Sequence, residues 1–289
     1  MKNGGPGFLE DKLDGVFLSH EKSRYVVSLI PYEETTTYRK GARNGPRAII
    51  DASPHMELLD ETLHVNASSH GILTLSPPIT DLSSVSAHAA AVARSHPAAL
   101  LAFLGGEHSI TPAILKGLAR RNIGIVWIDA HADLRKEYRG RPDNHACAGF
   151  NSVGYGPIVQ IGVRSVSEEE TDYLAKSNRV ECFRVWSEAA ENAIRNLPKE
   201  VYLSIDMDGF SPMLVRAVGT PEPGGLLWEE VMGILDCVFR EKDVIAYDVV
   251  ELCPEEHDVV SSFTAARLVY KAMSYHTYHK LTAHLPPTR

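Results

Sequence analysis

IGIVWIDAHAD, residues 123–133, opens as an unbroken apolar run and ends on two aspartates with a histidine between them. A strand with one face in water would alternate apolar and polar side chains, whereas a continuous apolar run suits a parallel strand covered by helices on both faces. Similar runs occur at 24–31 (RYVVSLIP), 98–106 (AALLAFLGG), 157–163 (PIVQIGV), 200–208 (EVYLSIDMD) and 243–252 (DVIAYDVVEL). Helices are expected at 46–57, 112–121, 167–176, 187–197, 227–240 and 261–275, the first opening at Pro46, where the missing N–H costs nothing. Strand and helix alternate at crossover spacing, so the chain reads as α/β, a mostly parallel sheet in three layers.

At 289 residues and 44% hydrophobic, the chain can bury a large core and lies near the upper limit of one domain. A single domain over 1–289 is expected, with residues 1–24 as a peripheral N-terminal extension. The balance of 37 acidic to 29 basic side chains, net −8 with no long basic run, argues against nucleic acid and is mildly suited to a cationic substrate. Cys147, Cys182, Cys237 and Cys253 form no C-x-x-C pair, which favours reduced thiols. The N-terminus lacks the apolar core of a secretory signal, and no segment reaches the roughly 18 apolar residues of a membrane span, so a soluble cytoplasmic protein is expected.

Three segments carry the chemistry: GGEHS (105–109), DAHAD (129–133) and DMDG (206–209), each at the end of an apolar run. A carboxylate entering the core loses hydration, at a cost that only a cation or hydrogen bonds can offset. Parallel strands would gather Asp129, Asp133, Asp206 and Asp208 at one edge, where two divalent cations would let all four stay ionised. His108 and His131 would add one imidazole to each ion. Oxygen-rich ligands with one nitrogen per ion suit manganese, with cobalt, iron or nickel able to use the same set. Two ions sharing a water would lower its pKa and orient it as the nucleophile, so neither Ser109 nor Cys147 is needed as one.

Together with SIDMDGFSP (204–212) and GTPEPGGL (219–226), these segments resemble the ureohydrolases, the family of arginases, agmatinases and related guanidino hydrolases. YRKGARNGPRAI (38–49) and YDVVELCPEEHD (247–258) extend the resemblance, which is greatest to bacterial and archaeal agmatinases and runs from about residue 30 to 275. It implies an arginase-like single domain with an eight-stranded parallel sheet, two Mn2+ per chain, and assembly as a homotrimer or homohexamer. It also implies that His108 and Asp133 bind one ion, that His131 and Asp208 bind the other, and that Asp129 and Asp206 bridge them. By the same resemblance His145, in DNHACAG, moves a proton near the leaving amine, and Glu251 holds the guanidinium. A loop histidine that relays protons near neutral pH fits the first role chemically.

The implied reaction is hydrolysis of agmatine to putrescine and urea. Two ions, four aspartates, one hydroxide and Glu251 sum to two negative charges, which a guanidinium and a tail amine would balance. The loop after DAHAD lacks the threonine- and serine-rich arginase pattern, and Ser165 and Ser167 stand where arginases are more acidic, which disfavours arginine. Asn144 and GFNSV (149–153) depart from the agmatinase pattern and leave aminopropylagmatine, guanidinobutyrate and guanidinopropionate as alternatives. Arg135, Arg139 or Arg141 would suit an acid-tailed substrate only if they faced the pocket, and an inward arginine pair would mark a formiminoglutamase. A catalytically inactive metal-binding regulatory protein is disfavoured by the intact set of eight residues.

Overall fold

The computed structural model describes residues 6–10 and 23–282. Its frame is an eight-stranded, all-parallel sheet built from β1 (Tyr25–Ile30), β2 (Ile72–Leu75), β3 (Leu100–Gly105), β4 (Gly124–Ile128), β5 (Ile158–Ile161), β6 (Val180–Phe183), β7 (Glu200–Asp206) and β8 (Asp243–Val250). The strand order is β2-β1-β3-β8-β7-β4-β5-β6.

One face packs on α1 (Gly45–Ala52), α6 (Glu188–Asn196), α7 (Trp228–Glu241) and α8 (Val259–His276). The other packs on α2 (Leu82–Ser95), α3 (Ile110–Leu118), α4 (Ala148–Ser152) and α5 (Glu168–Lys176). The three layers follow from the apolar runs, since strands such as β4 are buried along their whole length and need cover on both sides.

The expected 46–57 helix is shorter: α1 ends at Ala52 and a 3-10 turn, Ser53–His55, follows around Pro54, which cannot extend the ladder. Within residues 1–24, expected to be a peripheral extension, residues 6–10 lie against the core. Phe8 and Leu9 are buried in the core, and their N–H groups donate to Thr74 Oγ1 (2.9 Å) and Ser53 Oγ (2.8 Å). Burial of the two apolar side chains contributes roughly 1.5–3 kcal/mol each toward holding the segment against the core. Residues 1–5 and 11–22 lie outside the described residues. No helix among the described residues is long and apolar enough to cross a membrane, and all four cysteines are unpaired.

Four central strands, adjacent as β3-β8-β7-β4, end beside one another. GGEHS, Glu251, the Asp206–Asp208 turn and DAHAD follow those strands directly, so the carboxyl ends of the sheet's middle collect the whole constellation. Gly106 is required there: a side chain on it would collide with the Tyr32 carbonyl of the segment leaving β1.

Candidate metal centre

Asp129 leaves β4 fully buried and presents one oxygen to each of two clusters. Its Oδ2 lies 3.2 Å from His108 Nδ1, which is also 3.0 Å from Asp206 Oδ2 and 3.5 Å from Asp133 Oδ2. Its Oδ1 lies 3.6 Å from His131 Nδ1, which is 3.0 Å from Asp208 Oδ2. The two groups that could each hold an ion are therefore His108–Asp129–Asp206 and Asp129–His131–Asp208, with Asp129 common to both. All six residues expected from the sequence converge. Asp129 is common to both groups; Asp206 falls with His108 alone, and Asp133 flanks that same group.

His108 Nδ1 is buried and makes no hydrogen bond, although two carboxylate oxygens lie within 3.2 Å. The oxygens surround the nitrogen without lying along a hydrogen-bond direction, as donors do when they point at a common centre. Ligand atoms about 2.1 Å from one ion stand roughly 3.0–3.4 Å apart, which the shortest separations match. The electrostatics agree. Burial, with the neighbouring carboxylates, pushes Asp133 and Asp206 well above the usual carboxyl range. Burial opposes charging of His108 and His131, yet the aspartates overcome it and raise both. Negative charge is thus concentrated beyond what the protein neutralises, and two divalent ions fit that excess.

A row of side chains beneath the cluster holds His108 in place. Trp127, Ser204 and Asp248 are register partners across β4, β7 and β8 and project to one face. Trp127 stacks on the His108 ring (centroids 4.2 Å apart) and donates Nε1–H to Asp129 Oδ2 at 2.8 Å. Ser204 Oγ donates to Asp248 Oδ1 (2.7 Å), while Thr111 Oγ1 and Tyr202 OH each donate to Asp248 Oδ2 (2.6 Å). Burial pushes Asp248 up, and these hydroxyls act against that. Since Ser204 spends its one proton on Asp248, His108 Nε2, 2.8 Å away, donates to Ser204 and keeps the Nδ1 lone pair toward the aspartates.

Asp248→Asn would reverse this chain, because an amide can donate to Ser204 and free its proton for His108 Nε2. Metal affinity is expected to fall roughly 10- to 100-fold; a calorimetric titration with Mn2+ changing less than threefold would sink the assignment.

Arg164, at the end of β5, fastens neighbouring loops together. Its guanidinium reaches the carbonyls of Gly162, Asp208, Gly209, Phe210, Glu222 and Pro223 at 2.8–3.2 Å. It thereby ties the Asp208 turn to the GTPEPGG loop, whose Glu222 Oε1 approaches His131 Nε2 at 3.8 Å.

Above the cluster opens a cavity of about 240 Å³ whose wall includes His145, Glu251, Arg135 and Tyr138. Glu251 follows β8 in the left-handed conformation (φ 62°), with Oε1 accepting from His108 N–H at 2.7 Å. Burial pushes its carboxyl up to about 8 despite that hydrogen bond, and Glu107 adds to the rise. Asp133 is also left-handed (φ 53°), so two of the candidate residues hold a backbone conformation costly for side chains larger than glycine.

His145 begins a 3-10 turn, His145–Cys147, capped by Asn144 Oδ1 on Ala146 N–H (3.0 Å). Burial lowers its pKa and favours the neutral ring, with the nearby histidines also lowering it and Glu107 opposing. Cys147 makes a poor nucleophile, since burial pushes its thiol up to about 11. Of the three loop arginines only Arg135 lines the cavity; Arg141 is held by Asp143 (2.8 Å) and Glu34 (3.1 Å), and Arg139 stacks on Tyr138.

Residues 23–274 match the Arginase family model. The chain is 35% identical to the N(1)-aminopropylagmatine ureohydrolase of Synechocystis sp., over 94% of each protein. It is 36% identical to the agmatinase of Pyrococcus horikoshii, over 85% of this chain and 89% of that protein. The crystal structure of the agmatine ureohydrolase of Thermoplasma volcanium superposes with a TM-score of 0.82 at 26% identity, covering 94% of this chain and 99% of that one. The chain belongs to the arginase family and is a hydrolase of the ureohydrolase type, similar to agmatinases and aminopropylagmatine ureohydrolases.

Proposed function

We propose that this enzyme hydrolyses agmatine to putrescine and urea, with two manganese ions held by His108, Asp129, His131, Asp133, Asp206 and Asp208. The observation that carries this reading is the pair of His/Asp groups sharing Asp129 at the base of a cavity walled by Glu251 and His145. Bound metal would supply an activated water to attack the guanidinium carbon and Lewis-acid stabilisation of the negative charge that develops on oxygen. Glu251, fixed by the His108 N–H, receives the planar guanidinium and orients it above the cluster. His145 carries a proton to the alkyl-bearing nitrogen as the bond from the guanidino carbon to that nitrogen breaks; the nitrogen leaves on putrescine, and the carbon leaves with the added oxygen as urea. A cytoplasmic trimer or hexamer goes with this reading.

Two findings favour other tails at the same site. The Synechocystis relative is named for N(1)-aminopropylagmatine, a longer polyamine. Arg135 stands on the cavity wall over the Tyr138 ring (4.8 Å), its Nε 3.9 Å from Glu170 Oε2, and would suit a guanidino acid such as guanidinobutyrate.

The test is urea release by manganese-loaded enzyme from agmatine, aminopropylagmatine, arginine, guanidinobutyrate and guanidinopropionate, with formamide release from formiminoglutamate. Agmatine is expected to exceed the others in kcat/KM by at least about tenfold, the effect of roughly 1.4 kcal/mol in the transition state. Preference for the longer amine would lengthen the tail pocket, preference for an acid would assign Arg135 the tail, and no turnover of any compound with both ions bound would overturn the hydrolase reading.

A further inference from the structure

We propose that Thr35 and Glu107 form a positioning pair that fixes the tautomer of His145, placing its proton on Nδ1 and leaving the Nε2 lone pair for the cavity. The inference rests on the reading of His145 as the proton carrier.

Three segments distant in sequence meet here: the loop after β1 brings Thr35, the loop after β3 brings Glu107, and the turn after DAHAD brings His145. Glu107 is fully buried, and its carboxylate is surrounded by donors. Oε2 accepts from the N–H groups of Glu34 and Thr35, both at 2.6 Å, and Oε1 accepts from Thr35 Oγ1 at 2.8 Å and from Ser109 Oγ at 2.5 Å. A carboxylate only accepts, so the single hydroxyl proton of Thr35 is committed to Glu107.

Thr35 Oγ1 then has only lone pairs to offer, and both neighbours on that side belong to His145: its backbone N–H at 3.0 Å and its ring Nδ1 at 3.1 Å. An acceptor oxygen facing a ring nitrogen selects the tautomer with hydrogen on that nitrogen. Nδ1 is therefore the protonated nitrogen of the neutral ring, and Nε2 is the one able to take up and deliver a proton in the cavity that His145 lines. The backbone bond to the same hydroxyl fixes the turn as well as the ring. Glu107 also grips the backbone of Thr35 and its neighbour, so three hydrogen bonds to one carboxylate, one of them from the hydroxyl itself, fix where that hydroxyl stands.

The test combines kinetics with direct location of the proton. Thr35→Val keeps the shape and removes the hydroxyl, and Thr35→Ser restores it. In the manganese-loaded enzyme Thr35→Val is expected to lose roughly 10- to 100-fold in kcat, part of what a positioned general acid or base contributes, with KM changed less than about threefold. Thr35→Ser should recover kcat to within about threefold. A neutron structure of the perdeuterated wild-type holoenzyme should place deuterium on His145 Nδ1 and on Thr35 Oγ1 toward Glu107. Deuterium on Nε2 with Thr35 donating to Nδ1, or full kcat in Thr35→Val, would overturn the proposal. If Thr35→Val does not fold, the neutron structure and the serine variant decide. Full activity in His145→Asn would instead remove the proton-carrier reading, while the neutron structure would still judge the tautomer.

Discussion

Asp129→Asn is expected to cost about 10³-fold or more in kcat/KM and to loosen both metal ions at once. The estimate follows from the several kcal/mol that metal-assisted charge stabilisation contributes, at tenfold per 1.36 kcal/mol. Asp129 is the single residue common to the two groups, with Oδ2 turned to His108 and Oδ1 to His131. Its orientation is set from outside the cluster, by the Trp127 indole N–H on Oδ2 and the His131 backbone N–H (2.6 Å) on Oδ1. Asparagine preserves the shape but removes the charge, and it converts one of two metal-facing oxygens into an NH2 that cannot ligate. Asp133→Asn, which touches the His108 side alone, should lower metal content on that side and leave more activity. The measurements are urea release at saturating Mn2+ and metal per chain after dialysis. Retention of more than about a tenth of wild-type activity with two ions bound would deny Asp129 the bridging place.

The fold was legible where burial was complete. The six apolar runs became β1, β3, β4, β5, β7 and β8, since a strand apolar on both faces announces a covered sheet. The two missed strands are the sheet's edges, four residues each. In β6 (VECF) Glu181 and Cys182 are exposed, and in β2 (ILTL) every residue is only half-buried, so neither carries the pattern of a core strand. Helix α2 was missed for a related reason. Its buried stripe is Val85, Ala89 and Val92 within a serine- and alanine-rich stretch, too little apolar contrast to read as a face.

At the site, the expected metal ligands met because each ended an apolar run, but their supports were hidden. Trp127 reads as packing until register sets it beside Ser204 and Asp248. Asp248 itself carried a usable signal. A carboxylate in the middle of DVIAYDVVEL must be paired or very costly, and the hydroxyls of Tyr202, Ser204 and Thr111 are its partners. Glu107 lay inside a quoted motif, yet its partner Thr35 is 72 residues away in a loop, and only the crossing of the β1 and β3 ends joins them. Arg164 is legible in the fold alone, because what it binds is backbone, which has no signature in side-chain pattern.

The largest effect on stability is expected far from this chemistry, at Lys271. Its ammonium is buried on α8 and donates to Asp60 Oδ1 (3.0 Å) and Glu61 Oε1 (2.8 Å). Asp60 is fully buried as well. Burial would raise its pKa, but the Leu63 N–H, Lys271 and the Thr62 N–H together hold it below the usual value. Lys271→Met keeps the stem and removes the charge, leaving Asp60 with its two backbone donors and with Oδ2, which has no partner even in the wild type. Removing one member of a buried pair costs about 3–5 kcal/mol, mostly from the stranded charge, and the retained backbone bonds place this variant near about 3 kcal/mol. Because the folded pKa of Asp60 is depressed, the wild-type pair stabilises fully above the unfolded carboxyl pKa of about 4 and loses that stabilisation as pH falls through the lower folded value. In the variant this part of the acid dependence should diminish. Adding Asp60→Asn to Lys271→Met should recover part of the loss, since the double variant buries no unpaired charge. Urea unfolding of all three proteins in the same metal-loaded state reads the effect directly; a loss below about 1 kcal/mol in Lys271→Met would mean that the buried pair adds nothing beyond an exposed one.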